Sequence, residues 1–392
     1  MKPICVRFSA LALLLAVTGC AASYGQTYHQ TYVHTYVRPS MSPAGEIGIS
    51  YFYDNLSPYG EWIQEPSLGW CWTPYNVASD WRPYYDGHWE YTDYGWSWAS
   101  NEPWGWATYH YGRWLFDDSY GWVWVPGTDW APAWVAWRYS DDCVGWAPLP
   151  PSAGWNSAGL AFEDVDAIPV HEWCFVPQAH VLDVNIRVQV TSVARNVTLF
   201  ERSRDMTRFE VRDGRPANVG LDVAQVERIV RRPVPRVKIV DVDAPARGSG
   251  QPLGKGTIAF FRPTIRPMPS QPAPAPVVAE QRKFIPEDVL QRQRDEQQRR
   301  LENDLNVERG RLARDQQNEL RAQAPGAEVD AIRKRHVAEQ QAFEAHATRQ
   351  RQVLAQRFQK QILKPAKTKY AGKPEDQDQN KDKGARHAGG GQ

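Results

Sequence analysis

Gly87-His88-Trp89-Glu90-Tyr91-Thr92-Asp93-Tyr94-Gly95-Trp96-Ser97-Trp98 carries the pattern that decides the fold. In an extended chain successive side chains point to opposite faces, so Trp96 and Trp98 share one face. Indoles favour such half-buried pleated positions. Asp93-Tyr94-Gly95 has the chemistry of a tight turn. The stretch is therefore expected to form a β-hairpin.

The same two marks recur on either side. Gly-x-Trp appears as Gly60-Glu61-Trp62, Gly87-His88-Trp89 and Gly112-Arg113-Trp114, with a degenerate copy at Trp134-Val135-Ala136-Trp137. Gly-Trp follows each time, at Gly69-Trp70, Gly95-Trp96, Gly121-Trp122 and Gly145-Trp146. The leading indoles at 62, 89, 114 and 137 are 27, 25 and 23 residues apart, and the second set at 70, 96, 122 and 146 is 26, 26 and 24 apart. Two marks sharing one period indicate a structural repeat. One hairpin is marginal alone, but four can bury a shared aromatic layer. Asp80-Trp81-Arg82-Pro83, Glu102-Pro103-Trp104-Gly105 and Asp129-Trp130-Ala131-Pro132 place Trp beside Pro between the units and read as corners or edges, because Pro cannot donate to a ladder.

Leu56-Ser57-Pro58-Tyr59-Gly60-Glu61-Trp62, Pro103-Trp104-Gly105-Trp106-Ala107, Tyr109-His110-Tyr111-Gly112-Arg113-Trp114, Trp130-Ala131-Pro132-Ala133-Trp134-Val135 and Gly145-Trp146-Ala147-Pro148-Leu149-Pro150-Pro151 together resemble a Trp-rich family of bacterial exported proteins of unknown function. The resemblance covers roughly residues 51 to 151. It implies family membership and export, and no activity.

The N-terminus gives a location. Lys2 and Arg7 precede the apolar run Phe8 to Val17, the pattern of a secretory signal, and the run is too short to span a bilayer. Leu15-Ala16-Val17-Thr18-Gly19-Cys20 resembles the lipobox of bacterial lipoproteins, which implies cleavage before Cys20 and acylation there. Ala21 rather than Asp after the cysteine implies passage to the outer membrane. Residues 1–19 are thus expected as a lipoprotein signal peptide and 20–50 as a tether. A membrane partner through an N-terminal lipid anchor follows. Cys71, Cys143 and Cys174 remain in the mature chain, and in an oxidising envelope Cys143–Cys174 is the expected disulfide, since both border one repeat array.

Beyond the repeat block, 51–151, the character changes. Residues 152–265 read as a small α+β extension. Val184 to Val190 alternates as a strand, Phe209 to Arg212 precedes a turn at Asp213-Gly214, Asp222 to Val230 is helical, and Arg236 to Val242 and Thr257 to Phe261 are strands. A Pro-rich linker spans 266–283. Residues 284–363 read as a long α-helical hairpin or coiled-coil arm. Leu290, Leu301, Leu305, Leu312 and Leu320 form one sparse stripe, and Val329, Ile332, Val337, Phe343, Val353, Leu354, Phe358 and Ile362 a second, with a break at Pro325-Gly326. Residues 364–392 are expected as a disordered tail. The fold class is therefore a β-rich repeat module of four Trp-rich β-hairpins with a small α+β extension, then the helical arm.

The net charge of +1 conceals segregation. Residues 51–180 hold 3 basic and 17 acidic side chains, 181–280 hold 16 and 10, and 281–363 hold 17 and 13. The basic middle is expected to dock on the acidic repeats. Acids interleave the basic residues throughout the helices, which disfavours nucleic-acid binding. No Gly-x-Ser-x-Gly, His-Glu-x-x-His or phosphate-cradling glycine loop is present. His88, His110, His171 and His180 are dispersed, so no catalytic residue, metal site or cofactor is expected. Two functional readings follow. One is a non-enzymatic envelope lipoprotein acting as a structural or interaction scaffold, with a cell-wall or envelope-protein partner and self-association through the helices. The other is an aromatic-platform module in which Trp62, Trp89, Trp96, Trp98, Trp114, Trp122 and Trp124 meet glycan, cell-wall or cationic ligands.

Overall fold

The computed structural model describes residues 46–75, 77–162, 164–245, 248–254, 256–266, 287–322 and 328–363, all within one compact unit. A β-rich region comes first and two long helices, Glu287–Ala322 and Glu328–Leu363, follow.

Each repeat is an antiparallel strand pair. Gly60–Glu65 pairs with Gly69–Pro74, Gly87–Thr92 with Gly95–Ser100, Arg113–Asp117 with Gly121–Val125, and Val135–Tyr139 with Cys143–Pro148. The register sets the leading indole directly across from another: Trp62 opposite Trp72, Trp89 opposite Trp98, Trp114 opposite Trp124, and Trp137 opposite Trp146. The glycine of Gly-x-Trp now has a reason. A Cβ on Gly60 would lie 2.4 Å from the Trp72 ring, one on Gly87 2.8 Å from Trp98, and one on Gly112 2.8 Å from Trp124. The cross-strand indole lies over the glycine backbone, and any side chain there would push it off.

The fourth hairpin departs from this pattern. By motif Trp146 aligns with Trp70, Trp96 and Trp122, but by pairing it occupies the place of Trp72, Trp98 and Trp124. Gly69, Gly95 and Gly121 start their strands in the left-handed region, at φ 78°, 81° and 71°, whereas Gly145 does not. Val135 stands where the other units have glycine. The sequence similarity of Gly145-Trp146 is thus not structural equivalence.

The hairpins are not stacked in chain order. The first and third join into a four-stranded sheet through Trp72 opposite Trp124. The second lies inside a seven-stranded sheet and the fourth inside another four-stranded one, both completed by strands from beyond residue 151. Cys174–Pro177 and Arg204–Asp205 flank the fourth hairpin. Asn218 of Arg215–Asn218 bridges Gly95, and Arg236–Asp241 runs parallel to Gly87–Thr92 before pairing with Thr257–Phe260. Glu46–Gly48 pairs in parallel with Thr264–Arg266. The extension is woven into the repeat sheets.

The buried amide of Asn218 fixes one seam: it accepts from Trp137 Nε1 at 2.7 Å and donates to the Ala133 and Val135 carbonyls, each at 3.2 Å. The basic middle does meet the repeats, but on their rings. Arg187 lies over Tyr85, Arg236 over Tyr91 and Arg262 over Trp130, at 5.3, 5.2 and 4.8 Å. An arginine on an aromatic face keeps its charge partly solvated while its stem covers apolar surface.

The expected strand at 184–190 is instead a 3-10 turn, Ile186–Gln189. Ile186 and Val190 are buried while Val184 and Val188 are exposed, so a four-residue period hides within the apparent alternation. The hairpin of Phe209–Arg212 with Arg215–Asn218, the helix Val223–Val230 capped by the Asp222 carboxylate, and the strands Arg236–Asp241 and Thr257–Phe260 match their sequence patterns.

The two long helices touch each other through Glu302–Arg351, Arg309–Glu344, Gln316–Glu339 and Glu319–His336, partners whose numbers run in opposite directions. Leu301, Leu305, Leu312, Phe343 and Ala347 form their buried stripe together with Ala194 of the β-rich region. Leu320 and Val337, in the same sequence stripes, are exposed. The helices also lie against that region. Ser192 Oγ donates to Glu308 at 2.8 Å, Thr198 Oγ1 to Glu339 at 3.2 Å, and Arg357 to the Tyr120 carbonyl at 2.9 Å and to Thr73 Oγ1 at 3.0 Å. The Pro325-Gly326 break falls outside the described residues, and no described helix is long and apolar enough to cross a membrane.

Candidate functional site

All seven indoles expected as a ligand platform are interior. Trp96, Trp98 and Trp124 are fully buried, and Trp62, Trp89, Trp114 and Trp122 are at most 6% exposed. Trp89 packs on Trp98, Trp137 and Trp146 at 4.9, 4.5 and 5.7 Å, and Trp62 on Tyr53 at 4.5 Å. Trp96 Nε1 donates to the Leu221 carbonyl at 2.7 Å and Trp124 Nε1 to Tyr111 at 2.7 Å. The platform assignment is therefore corrected: these indoles are the core. Of the 18, only Trp70, Trp104 and Trp155 are partly open to solvent.

The cysteine pairing is corrected as well. Cys71, Cys143 and Cys174 are buried free thiols. Cys174 faces Trp146 and Cys143 faces Pro177 across one antiparallel ladder, three steps apart. An odd number of steps puts them on opposite faces and about 10 Å apart along the strand, beyond disulfide reach. They accordingly belong to different core clusters. Burial pushes the Cys71 thiol up to about 12 and Cys143 to about 11. Cys20 lies outside the described residues.

The four histidines remain apart. His88 pairs with Glu90 at 3.3 Å and His180 with Asp183 at 2.8 Å. His110 stacks on Trp130, and burial holds its imidazole down at about 4. His171 meets the Phe116 ring and is held at about 3 by burial and the Arg349 charge. Among the described residues no three His, Cys, Asp or Glu side chains converge as metal ligands.

Two carboxyl groups are buried in the β-rich region. Glu102 accepts from Trp81 Nε1 at 2.6 Å and from the Tyr109 hydroxyl, and burial raises it to about 8. Glu172 is raised to about 8 by the same cause.

A polar cleft lies elsewhere, between the linkers of the β-rich region and the helix Glu287–Ala322. It holds about 680 Å³ of empty space, its open mouth included, with Asp80, Arg82, Tyr85, Arg187, Thr191 and Glu308 in its wall. Sequence reading missed it because its residues come from segments more than 200 positions apart. One signal was available. Only Arg82, Arg113 and Arg138 interrupt the acidic block, and each is wrapped by a ring: Arg82 over Tyr85 at 5.6 Å, Arg113 over Trp134 at 3.5 Å, Arg138 over Phe200 at 3.9 Å. Arg113 donates to the Ala153 carbonyl at 3.0 Å, and Arg138 to Ser203 Oγ at 2.9 Å and to Asp166. Arg82 differs: its Nε and Nη1 are buried without hydrogen-bond partners.

Residues 53–153 match a family of unknown function, DUF6600. That span is the repeat block whose paired indoles make the core, so over this part the chain is similar to an uncharacterised Trp-rich family. No curated protein and no solved structure matches the chain.

Proposed function

We propose that the chain is a non-enzymatic, lipid-anchored protein of the bacterial cell envelope that acts as a structural or interaction scaffold. The observation that carries this reading is the burial of the repeat indoles: they make a rigid body instead of a recognition surface. The signal and lipobox-like stretch Lys2 to Cys20 supports the location, on the outer membrane and facing the periplasm or the cell surface. Several acyl chains, each methylene contributing about 0.8 kcal/mol, would make a stable anchor. On this reading the two helices form a helical hairpin whose charged outer face meets a cell-wall component, an envelope protein or a second copy of the chain.

Two experiments test it. Metabolic labelling with a fatty acid should mark the wild-type chain and leave Cys20→Ser unlabelled. Label on both, or on neither, removes the anchor. Capture from envelope extract should recover a partner with the soluble chain from Ala21 onward and lose it when residues 281–392 are deleted. A full-length variant with Val337→Glu, at an exposed helix position, controls for damage to the body beneath the helices. Failure of the intact soluble chain to retain any envelope component would remove the interaction role.

A further inference from the structure

The cleft between the β-rich region and the helix Glu287–Ala322 has an unequal supply of hydrogen-bonding groups. Its three carboxylates are already engaged. Asp80 accepts from the Tyr85 hydroxyl at 2.8 Å, Glu308 from Ser192 Oγ at 2.8 Å, and Asp304 from Ser79 Oγ at 3.3 Å. Its donors are not. Arg82 is 4% exposed, with Nε and Nη1 unpartnered, and the Thr191 hydroxyl is buried without a partner. A buried guanidinium is ordinarily paired with a carboxylate or saturated by carbonyls, as Arg138 is, because an uncompensated charge costs heavily in a low-dielectric interior. The close contacts at Arg82 are instead the Tyr85 ring and the Cys174 thiol, and the Asp80 and Glu308 carboxylates act on its charge without hydrogen-bonding Nε or Nη1. Two further guanidiniums, Arg187 and Arg311, line the same cleft, and Arg187 stacks on the Tyr85 ring that Arg82 also faces. The charge reaches its surroundings: Arg82 contributes to holding His171 and His346 neutral.

We propose that this cleft is a binding site for a small anionic ligand, whose carboxylate or phosphate oxygens accept from Arg82 and Thr191. The ligand supplies the acceptors that Arg82 Nε and Nη1 and the Thr191 hydroxyl lack. Arg82 forms the floor, so the ligand presents one compact oxyanion group past Tyr85 and Arg187. Charge-assisted hydrogen bonds of this kind are about twice as strong as neutral ones. Because Glu308 and Arg311 come from the helix, an occupied site also ties that helix to the β-rich region. This goes beyond the scaffold reading and stands or falls independently of lipidation and of any protein partner.

The test is calorimetric titration of the full chain in detergent with inorganic phosphate, with succinate, and with chloride as the screening control, each accompanied by a thermal melt. Saturable binding of phosphate alone assigns a phosphate-bearing ligand, and saturable binding of succinate alone a carboxylate. Either should raise the melting temperature and weaken at least tenfold in Arg82→Lys, which keeps the charge but loses the planar donor set. Thr191→Val and Arg311→Ala should each weaken it severalfold, and they keep the proposal testable if the Arg82 variant does not fold. Absence of saturable binding of both anions, equal response to chloride, or unchanged affinity in Thr191→Val and Arg311→Ala overturns the proposal.

Discussion

The hairpin region and the two long helices solve the same problem with different materials. The hairpins place Trp62, Trp72, Trp89, Trp98, Trp114 and Trp124 in facing pairs and bury all of them. The helices, each 36 residues long, bury a thin stripe of Leu301, Leu305, Leu312 and Phe343 and rely otherwise on charged contacts such as Glu302–Arg351. A large indole removes 150–250 Å² from water, while a partly exposed ion pair contributes about 0–1 kcal/mol. The β-rich region therefore carries its own stability, and the helices borrow part of theirs from it.

The largest expected effect comes from the hairpins. Trp124→Ala deletes a fully buried ring that contacts Phe52 and Trp62 and donates to Tyr111, so it should cost about 3–5 kcal/mol and abolish the native near-ultraviolet spectrum. A loss under 1 kcal/mol in denaturant titration would mean that the aromatic core is not continuous. Leu305→Ala, at a fully buried helix position, should cost about 2–4 kcal/mol, read as earlier loss of helical circular dichroism with the tryptophan signal unmoved. Simultaneous loss of both signals would show one cooperative unit and erase the contrast.

A pH scan sharpens the comparison next. Glu102 sits at about 8 in the fold, well above an unfolded carboxyl, so its neutral form is the folded form. Its contribution is complete below about pH 4.5. It declines as pH rises toward 8, because the unfolded chain releases the proton first, by on the order of a few kcal/mol. Glu102→Gln should flatten stability between pH 5 and 8, with Glu172 leaving a residual slope. His110 acts in the opposite sense: held at about 4, it contributes fully above pH 6.5 and loses that as pH falls toward 4. An unchanged slope in Glu102→Gln would remove the buried carboxyl as its source. The smallest energetic effect belongs to Arg351→Ala, under 1 kcal/mol and reduced further by salt. Thiol counting should meanwhile find Cys71, Cys143 and Cys174 all reactive in denaturant without reductant, and protected in the native state. Two missing thiols would restore a disulfide.

Much of this was legible from residues 60 to 146. The period-two alternation of Trp-x-Trp and the left-handed glycines at 69, 95 and 121 are local signals, and local signals fix hairpins. The helices were legible from their length and sparse leucines. Three features were not. Val184 to Val190 alternates yet forms a 3-10 turn, because two of its four apolar residues face solvent. Gly145-Trp146 carries the motif without its structural role. The platform assignment failed because a row of indoles on one strand face looks the same whether the face meets solvent or another sheet.

By itself, then, the sequence determined that there are four hairpins, where the first three turn, and that two long helices follow, since each depends on neighbours a few residues away. The tertiary structure alone decided that the first hairpin joins the third, that strands from beyond residue 151 close the other sheets, and that Arg82 is buried beside a helix more than 200 residues distant. Those outcomes depend on which apolar faces and hydrogen-bonding edges find each other across long loops, and no local period encodes that choice.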